Sequence, residues 1–209
     1  ISSLELSDVS DRLLKAMNEE NGLCRYLHLP LQSGDAGVLS EMGRKYAPGW
    51  FRERIREIRD AVPGAGVTTD VMVGFPNESD EAFRATVSLL EEIGFSRAHV
   101  FRYSPRPLTA SFSLGDPVDP KTKIRRAEEL RRVARESAMK LHSGLVGRII
   151  PVLVEAAMQS EPGHVFGRAE NFSGVIIKGN EGLVGEKIQV RVTGPGPQWL
   201  RGERADKAV

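Results

Sequence analysis

Three stretches of this chain run apolar and then turn abruptly polar and rich in glycine or proline. They are His28-Leu29-Pro30-Leu31-Gln32-Ser33-Gly34, Thr69-Asp70-Val71-Met72-Val73-Gly74-Phe75-Pro76 and His99-Val100-Phe101-Arg102-Tyr103-Ser104-Pro105-Arg106. A strand leaving a buried core for a loop reads this way. In barrels of parallel strands, that exit is where the active-site rim forms. Helical patterns separate the three, and alternating β and α elements call for a parallel sheet covered by helices. The pattern predicts strands over 25–32, 66–74 and 97–103, with a strand remnant over 1–6.

The helical segments are legible by their apolar stripes. Residues 8–19 place Val9, Leu13, Leu14 and Met17 on one face, and a short helix is expected over 35–43. Residues 48–62 start at Pro48 and carry Phe51, Ile55, Ile58 and Val62 on one stripe. Glu78, Asp80 and Glu81 suit the positive end of a helix that runs to Ile93 and stops at Gly94. Pro105, Pro107, Pro117 and Pro120 then break the chain into a loop. A long basic helix follows over 121–143, and its charge reads as a solvated outer face.

After Gly147 the pattern changes to short strands over 148–156, 163–170, 173–178, 186–193 and 197–203, with glycine-bearing turns. Such spacing suits a small antiparallel barrel of a kind that often binds oligonucleotides. The chain therefore divides into a β/α unit over 1–144 and a barrel over 145–209. The formal net charge is only +1, so any nucleic-acid contact must come from a local patch. A single cysteine excludes an internal disulfide framework, and no apolar run reaches the roughly 18 residues of a membrane span. Both point to a cytoplasmic protein. The first residues, Ile1-Ser2-Ser3-Leu4-Glu5-Leu6, begin inside an apolar stretch without a methionine, as a fragment would.

The strand ends offer Gln32, Ser33, Asp70, Tyr103, Ser104 and Arg106 as polar groups. Gln32 and Ser33 bring neutral donors and acceptors. Asp70, flanked by apolar residues, needs a partner if buried: a ligand hydroxyl, an ammonium group, a cation or backbone amides. Gly74-Phe75-Pro76 allows close approach of a flat ligand, or is a plain turn. Arg106, stiffened between two prolines, suits a carboxylate or phosphate. His28 reads as a satisfied core histidine, and Cys24 as a small buried hydrophobe. No spacing of histidines or carboxylates indicates a metal. In the barrel, Arg168, Glu170, Asn171, Phe172, Lys178, Lys187 and Arg191 mix charge with an aromatic, which fits RNA binding or an ordinary solvated surface.

Taken together, the three phrases resemble the radical S-adenosylmethionine methylthiotransferases. His28–Gly34 looks like that family's HxPxQSG, Thr69–Glu78 like its TDxIVGFPGET and His99–Thr109 like its HVFxYSxRPGT. Asn77 and Leu108 stand where glycines are usual, and Ser79 where threonine is usual. Residues from Ile149 onward resemble the small RNA-binding barrel called TRAM. The resemblance implies a partial radical SAM (β/α) barrel followed by that appendage. It implies S-adenosylmethionine, two 4Fe-4S clusters, a reducing electron donor and tRNA as partners. Thiolates hold such clusters, and Cys24 matches no ligand position, so the cluster ligands are expected outside this chain. Gln32, Ser33, Asp70 and Phe75 are then expected on the cofactor side. Tyr103, Arg106, Arg168, Asn171, Lys178 and Arg191 are expected on the substrate side.

Phe95 through Phe101 resembles the branch that acts on threonylcarbamoyladenosine beside the anticodon. The isopentenyladenosine branch is the runner-up. The branch that modifies a ribosomal protein usually carries acids where Arg106 stands. Two other readings compete: an RNA-binding piece without chemistry of its own, and an unrelated aldolase-type barrel. The last requires a lysine or acid pair at the strand ends, which is not evident.

Overall fold

The computed structural model describes residues 3–19 and 23–205. Three parallel strands, β1 (Tyr26–His28), β2 (Gly66–Val73) and β3 (Arg97–Arg102), form a sheet in that order. Val67, Val71 and Val73 of the central β2 are buried, as expected for a strand with neighbours on both edges and helices against it. β1 is shorter than its apolar run because Pro30 lacks an N–H and Gln32 turns to a φ of +64°. Gln32 then rejoins the sheet through an isolated parallel bridge to Val71.

The strand expected over 1–6 does not form among the described residues. Its first two residues lie outside them, Leu4 makes one backbone bond to His28, and Leu6–Asp8 close a 3-10 turn. The covering helices are α1 (Asp11–Asn18), α2 (Ala36–Glu41), α3 (Pro48–Ala61) and α4 (Asp80–Ile93). Ser10, Asp35 and Ser79 cap α1, α2 and α4 by accepting a backbone N–H three residues on. Phe51, Ile55 and Ile58 of α3 enter one core with Leu27, Leu29, Val71 and Leu90.

The long helix α5 (Pro120–Ser143) is not the solvated cylinder its charge implies. Ala127, Leu130 and Val133 join the core, and two of its cations are buried with partners. Lys123 donates to the Tyr103 carbonyl at 3.1 Å and pairs with Asp116. Arg126 meets Glu78 at 2.6 Å and Asp80 at 2.8 Å. Glu78 is thus no helix-end acid: its side chain is fully buried and also accepts the Gly74 N–H at 2.7 Å.

Beyond α5, five strands close into a barrel: β4 (Ile149–Ala157), β5 (His164–Ala169), β6 (Gly174–Lys178), β7 (Lys187–Gly194) and β8 (Trp199–Arg204). Alternate residues of β5 and β7 point inward, so Val165, Val190 and Val192 fill the interior with Val152, Ile177 and Leu200. One pairing departs from the antiparallel expectation: β6 and β8 run parallel. The turn after β5 seats the barrel on the sheet. Phe172 stacks on Tyr26 at 4.2 Å, and a Cβ on Gly66 would collide with the Asn171 carbonyl. Among the described residues, no helix is long and apolar enough to cross a membrane.

Glu78 and Asp80 share one guanidinium yet shift in opposite directions. Burial lifts Glu78 above its ordinary 4.5 despite the opposing pull of Gly74 and Arg126. The exposed Asp80 is held below its ordinary 3.8 by the Arg126 hydrogen bond and charge. Glu78 therefore contributes stability that is present below 4.5 and lost as pH rises, whereas Asp80 contributes stability that is present above 3.8 and lost as pH falls. Urea midpoints measured across pH should show Asp80→Asn losing less than the parent on acidification, and Glu78→Gln losing less toward neutrality. Arg126→Met, which leaves the Glu78 carboxylate unpaired, should cost roughly 3–5 kcal/mol near neutral pH.

Candidate functional site

The exits of β2 and β3, the Gln32 bridge and the loop after Tyr103 enclose a cavity of about 520 Å³. It lies at the C-terminal ends of the parallel strands, the face on which β/α barrels build their sites. Phe75 and Tyr103 form an edge-to-face wall at 5.3 Å and 73°, with Met72 and the half-buried Gln32 beside them. The Tyr103 hydroxyl donates to the Ser111 carbonyl at 2.9 Å, which ties the following loop over the wall. Arg106 is exposed and lines the same cavity. The space left by Gly74 is taken by Lys123, whose side chain a Cβ would strike; the glycine serves that crossing and the turn at φ +73°. Ser33 is fully buried, 3.3 Å from the Thr86 hydroxyl and accepting from the Asp35 N–H, so it packs under α4 instead of lining the cavity.

A second polar group lies across the sheet. Asp70 Oδ2 is 3.3 Å from His28 Nε2, His28 Nδ1 is 2.9 Å from the Thr68 hydroxyl, and that hydroxyl is 2.8 Å from Tyr26. Asp70 is thus partnered by a histidine, not by backbone amides, and keeps part of its carboxylate exposed. His28 is the satisfied buried histidine that its neighbours imply. His99 lies opposite Asp70 on β3. Burial, and then Arg97, lower its pKa, against the pull of Asp70.

A larger cleft of about 640 Å³ opens between β3, α5 and the small barrel. Among the described residues, Arg97, Arg131, Arg135 and Arg168 are its charged lining residues, joined by Phe101 and Trp199. Of the barrel residues proposed from sequence, Arg168 alone lines it. Asn171 spends its side-chain oxygen on the Ser173 N–H within the turn. Lys178 sits opposite His164 at the far end of the β5–β6 pair from Arg168, and Arg191 lies on β7, beyond β4. Sequence reasoning missed Arg97, Arg131 and Arg135 as a group. The i, i+4 spacing of the last two was the only local signal.

Comparison with known proteins now bears on this geometry. Residues 2–90 match the model of the radical SAM superfamily, and residues 145–204 that of the TRAM domain. The tRNA-2-methylthio-N(6)-dimethylallyladenosine synthase of Geobacillus thermodenitrificans is 36% identical over 202 residues, covering 97% of this chain and 39% of the relative. The threonylcarbamoyladenosine tRNA methylthiotransferase MtaB of Bacillus subtilis is 33% identical over 205 residues, covering 97% of this chain and 46% of the relative. Along nearly its whole length the chain is similar to radical SAM methylthiotransferases. It spans about two-fifths of the length of the relatives it matches. The fold is also that of coproporphyrinogen III oxidase (HemN) from Escherichia coli, a radical SAM enzyme, with a TM-score of 0.55 at 14% identity over 92% of this chain and 46% of that one.

The superfamily implies S-adenosylmethionine and an iron–sulfur cluster. The residues of this chain do not fit a cluster. Cys24 is its one cysteine, exposed and not the buried hydrophobe expected, and the described residues contain no group of three or more His, Cys, Asp or Glu that could hold a metal. They do fit an adenosyl ligand, for which the Phe75–Tyr103 wall provides an apolar face with Gln32 as a polar neighbour.

Asn77 and Leu108, the two departures from glycine, both keep the left-handed backbone, at φ +67° and +70°. Asparagine tolerates this region; leucine adopts it only with strain. Leu108 instead points its side chain entirely into solvent. Leu108→Gly should therefore raise stability by about 1 kcal/mol, seen as a higher thermal midpoint.

Proposed function

We propose that this chain is the rim-forming and RNA-binding part of a tRNA methylthiotransferase. Residues 1–144 serve as the barrel part and 145–209 as the RNA-binding barrel. The observation that carries the reading is one chain in which a strand-end cavity with an aromatic wall stands on the same helix-linked scaffold as a five-stranded barrel. S-adenosylmethionine, when bound beside a reduced cluster, supplies the radical chemistry. This chain's residues do the positioning: Phe75 and Tyr103 exclude water, Gln32 and Asp70 offer polar contacts, and Arg106 and Arg168 meet the anionic substrate. Cluster ligands and the site for the electron donor come from outside the chain.

The nucleoside we assign is dimethylallyladenosine, the isopentenyl-bearing base, in place of the threonylcarbamoyladenosine expected from Phe95–Phe101. Its synthases are 34–36% identical to this chain, and the threonylcarbamoyladenosine enzyme of Bacillus subtilis is 33% identical. The test is mass spectrometry of nucleosides from tRNA treated with the full-length protein after anaerobic cluster reconstitution. Methylthiolated dimethylallyladenosine is expected, and none from residues 1–209 alone. The threonylcarbamoyl product would move the branch, and a modified ribosomal protein would overturn the tRNA reading. A second reading, RNA binding without chemistry, applies to residues 1–209 by themselves. It is favoured by the arginine-lined cleft and by the lack of a cluster-ligand set among the described residues.

A further inference from the structure

We infer that the cleft between β3, α5 and the small barrel is a seat for an unpaired RNA segment, with phosphates on Arg97, Arg131, Arg135 and Arg168 and bases against Phe101 and Trp199. This rests on the tRNA reading above and names where the chain would hold the strand.

The charge pattern is the first argument. Elsewhere on the surface Arg52, Arg56, Arg84, Arg132 and Arg201 each pair with a glutamate. In the cleft, Arg97 and Arg135 have no hydrogen-bond or carboxylate partner among the described residues, and Arg131 donates only to the Val100 carbonyl at 3.1 Å. Arg168 shares Glu155 and lies 4.3 Å over the Phe172 ring. Four guanidiniums around one space, with no acid lining it among the described residues, repel one another; a chain of phosphates relieves that repulsion and meets their forked donors.

The aromatic groups are the second argument. Phe101 is 51% exposed and Trp199 43% exposed. Large rings left half in water beside cations fit base stacking. A duplex hides its base faces, whereas an unpaired strand offers them. The cleft volume of about 640 Å³ lies within the range of small-ligand sites, roughly 300–1,000 Å³, and admits splayed nucleotides but not a helix.

The test is fluorescence anisotropy with residues 1–209 and three probes: an unstructured oligoribonucleotide, a blunt RNA duplex and a nucleoside monophosphate. The oligoribonucleotide should bind tighter than either other probe. Arg97→Gln combined with Arg135→Gln should weaken it at least tenfold and flatten the log–log salt slope by about 1.4, two phosphates at about 0.7 each. Phe101→Ala should weaken it roughly 5- to 150-fold, the worth of one stacked base at about 1–3 kcal/mol, with the slope unchanged. Arg84→Gln combined with Arg132→Gln removes the same charge away from the cleft and should leave affinity within twofold. All variants should keep the parent thermal midpoint within a few degrees, since neither the Arg97 nor the Arg135 side chain bonds to the fold among the described residues. Three results overturn the cleft while leaving the tRNA reading in place: unchanged binding by the Arg97/Arg135 variant, equal binding of the duplex, or equal loss with the control pair. No RNA binding by the parent overturns both.

Discussion

The buried carboxylate of Glu78 is the joint on which the rest of the molecule turns. It accepts the Gly74 N–H where β2 ends and the Arg126 guanidinium where α5 passes. Arg126 reaches on to Asp80 in the first turn of α4 and lies 5.2 Å over Phe83. One ion pair therefore sets the exit of the central strand, the start of one helix and the seating of another. Burying two charges is costly even when they meet. Here Glu78 Oε1 and Arg126 Nε find no hydrogen-bond partner, so the pair secures a particular arrangement more than it adds stability.

That arrangement delivers both candidate sites. With Gly74 held and Lys123 threaded through the space it leaves, Phe75 turns against Tyr103 and the cavity wall forms. With α5 held along β3, its middle turns bring Arg131 and Arg135 to the cleft beside the barrel. At the end of α5, His142 donates to the Gly196 carbonyl, and the chain enters β4 through the left-handed Gly147. The Tyr26–Phe172 stack and the close approach of Asn171 to Gly66 complete the junction. The cleft exists only because both ends of this connection are fixed.

Most of the elements were legible because their periodicity is strong. Phe51, Ile55 and Ile58 mark a helix, and the alternation in β5 and β7 marks barrel strands. The errors have physical causes. The apolar run over 1–6 lacks a strand partner among the described residues beyond one bond at Leu4, so apolarity alone misled. The charge on α5 hid Lys123 and Arg126, because a sequence does not show which cations will find buried acids. Glu78 reads as a helix-end acid from its place beside Asp80 and Glu81, although its side chain turns back to Gly74 and Arg126. Ser33 was grouped with Gln32 by adjacency, yet the left-handed turn at Gln32 sends the two in different directions.

By itself, the sequence determined the β/α order, the five-stranded appendage and the three strand exits, since these follow from local periodicity, proline and glycine. Its motifs also carry the likeness to the methylthiotransferases, and its single cysteine falls short of the set of thiolates a cluster requires. Only the tertiary structure decided which polar residues share a space. Arg97, Arg131 and Arg168 are far apart along the chain and meet only because β3, α5 and the barrel pack together. His28 finds Asp70 across neighbouring strands for the same reason: pairing register, which no single segment encodes, sets which side chains face one another.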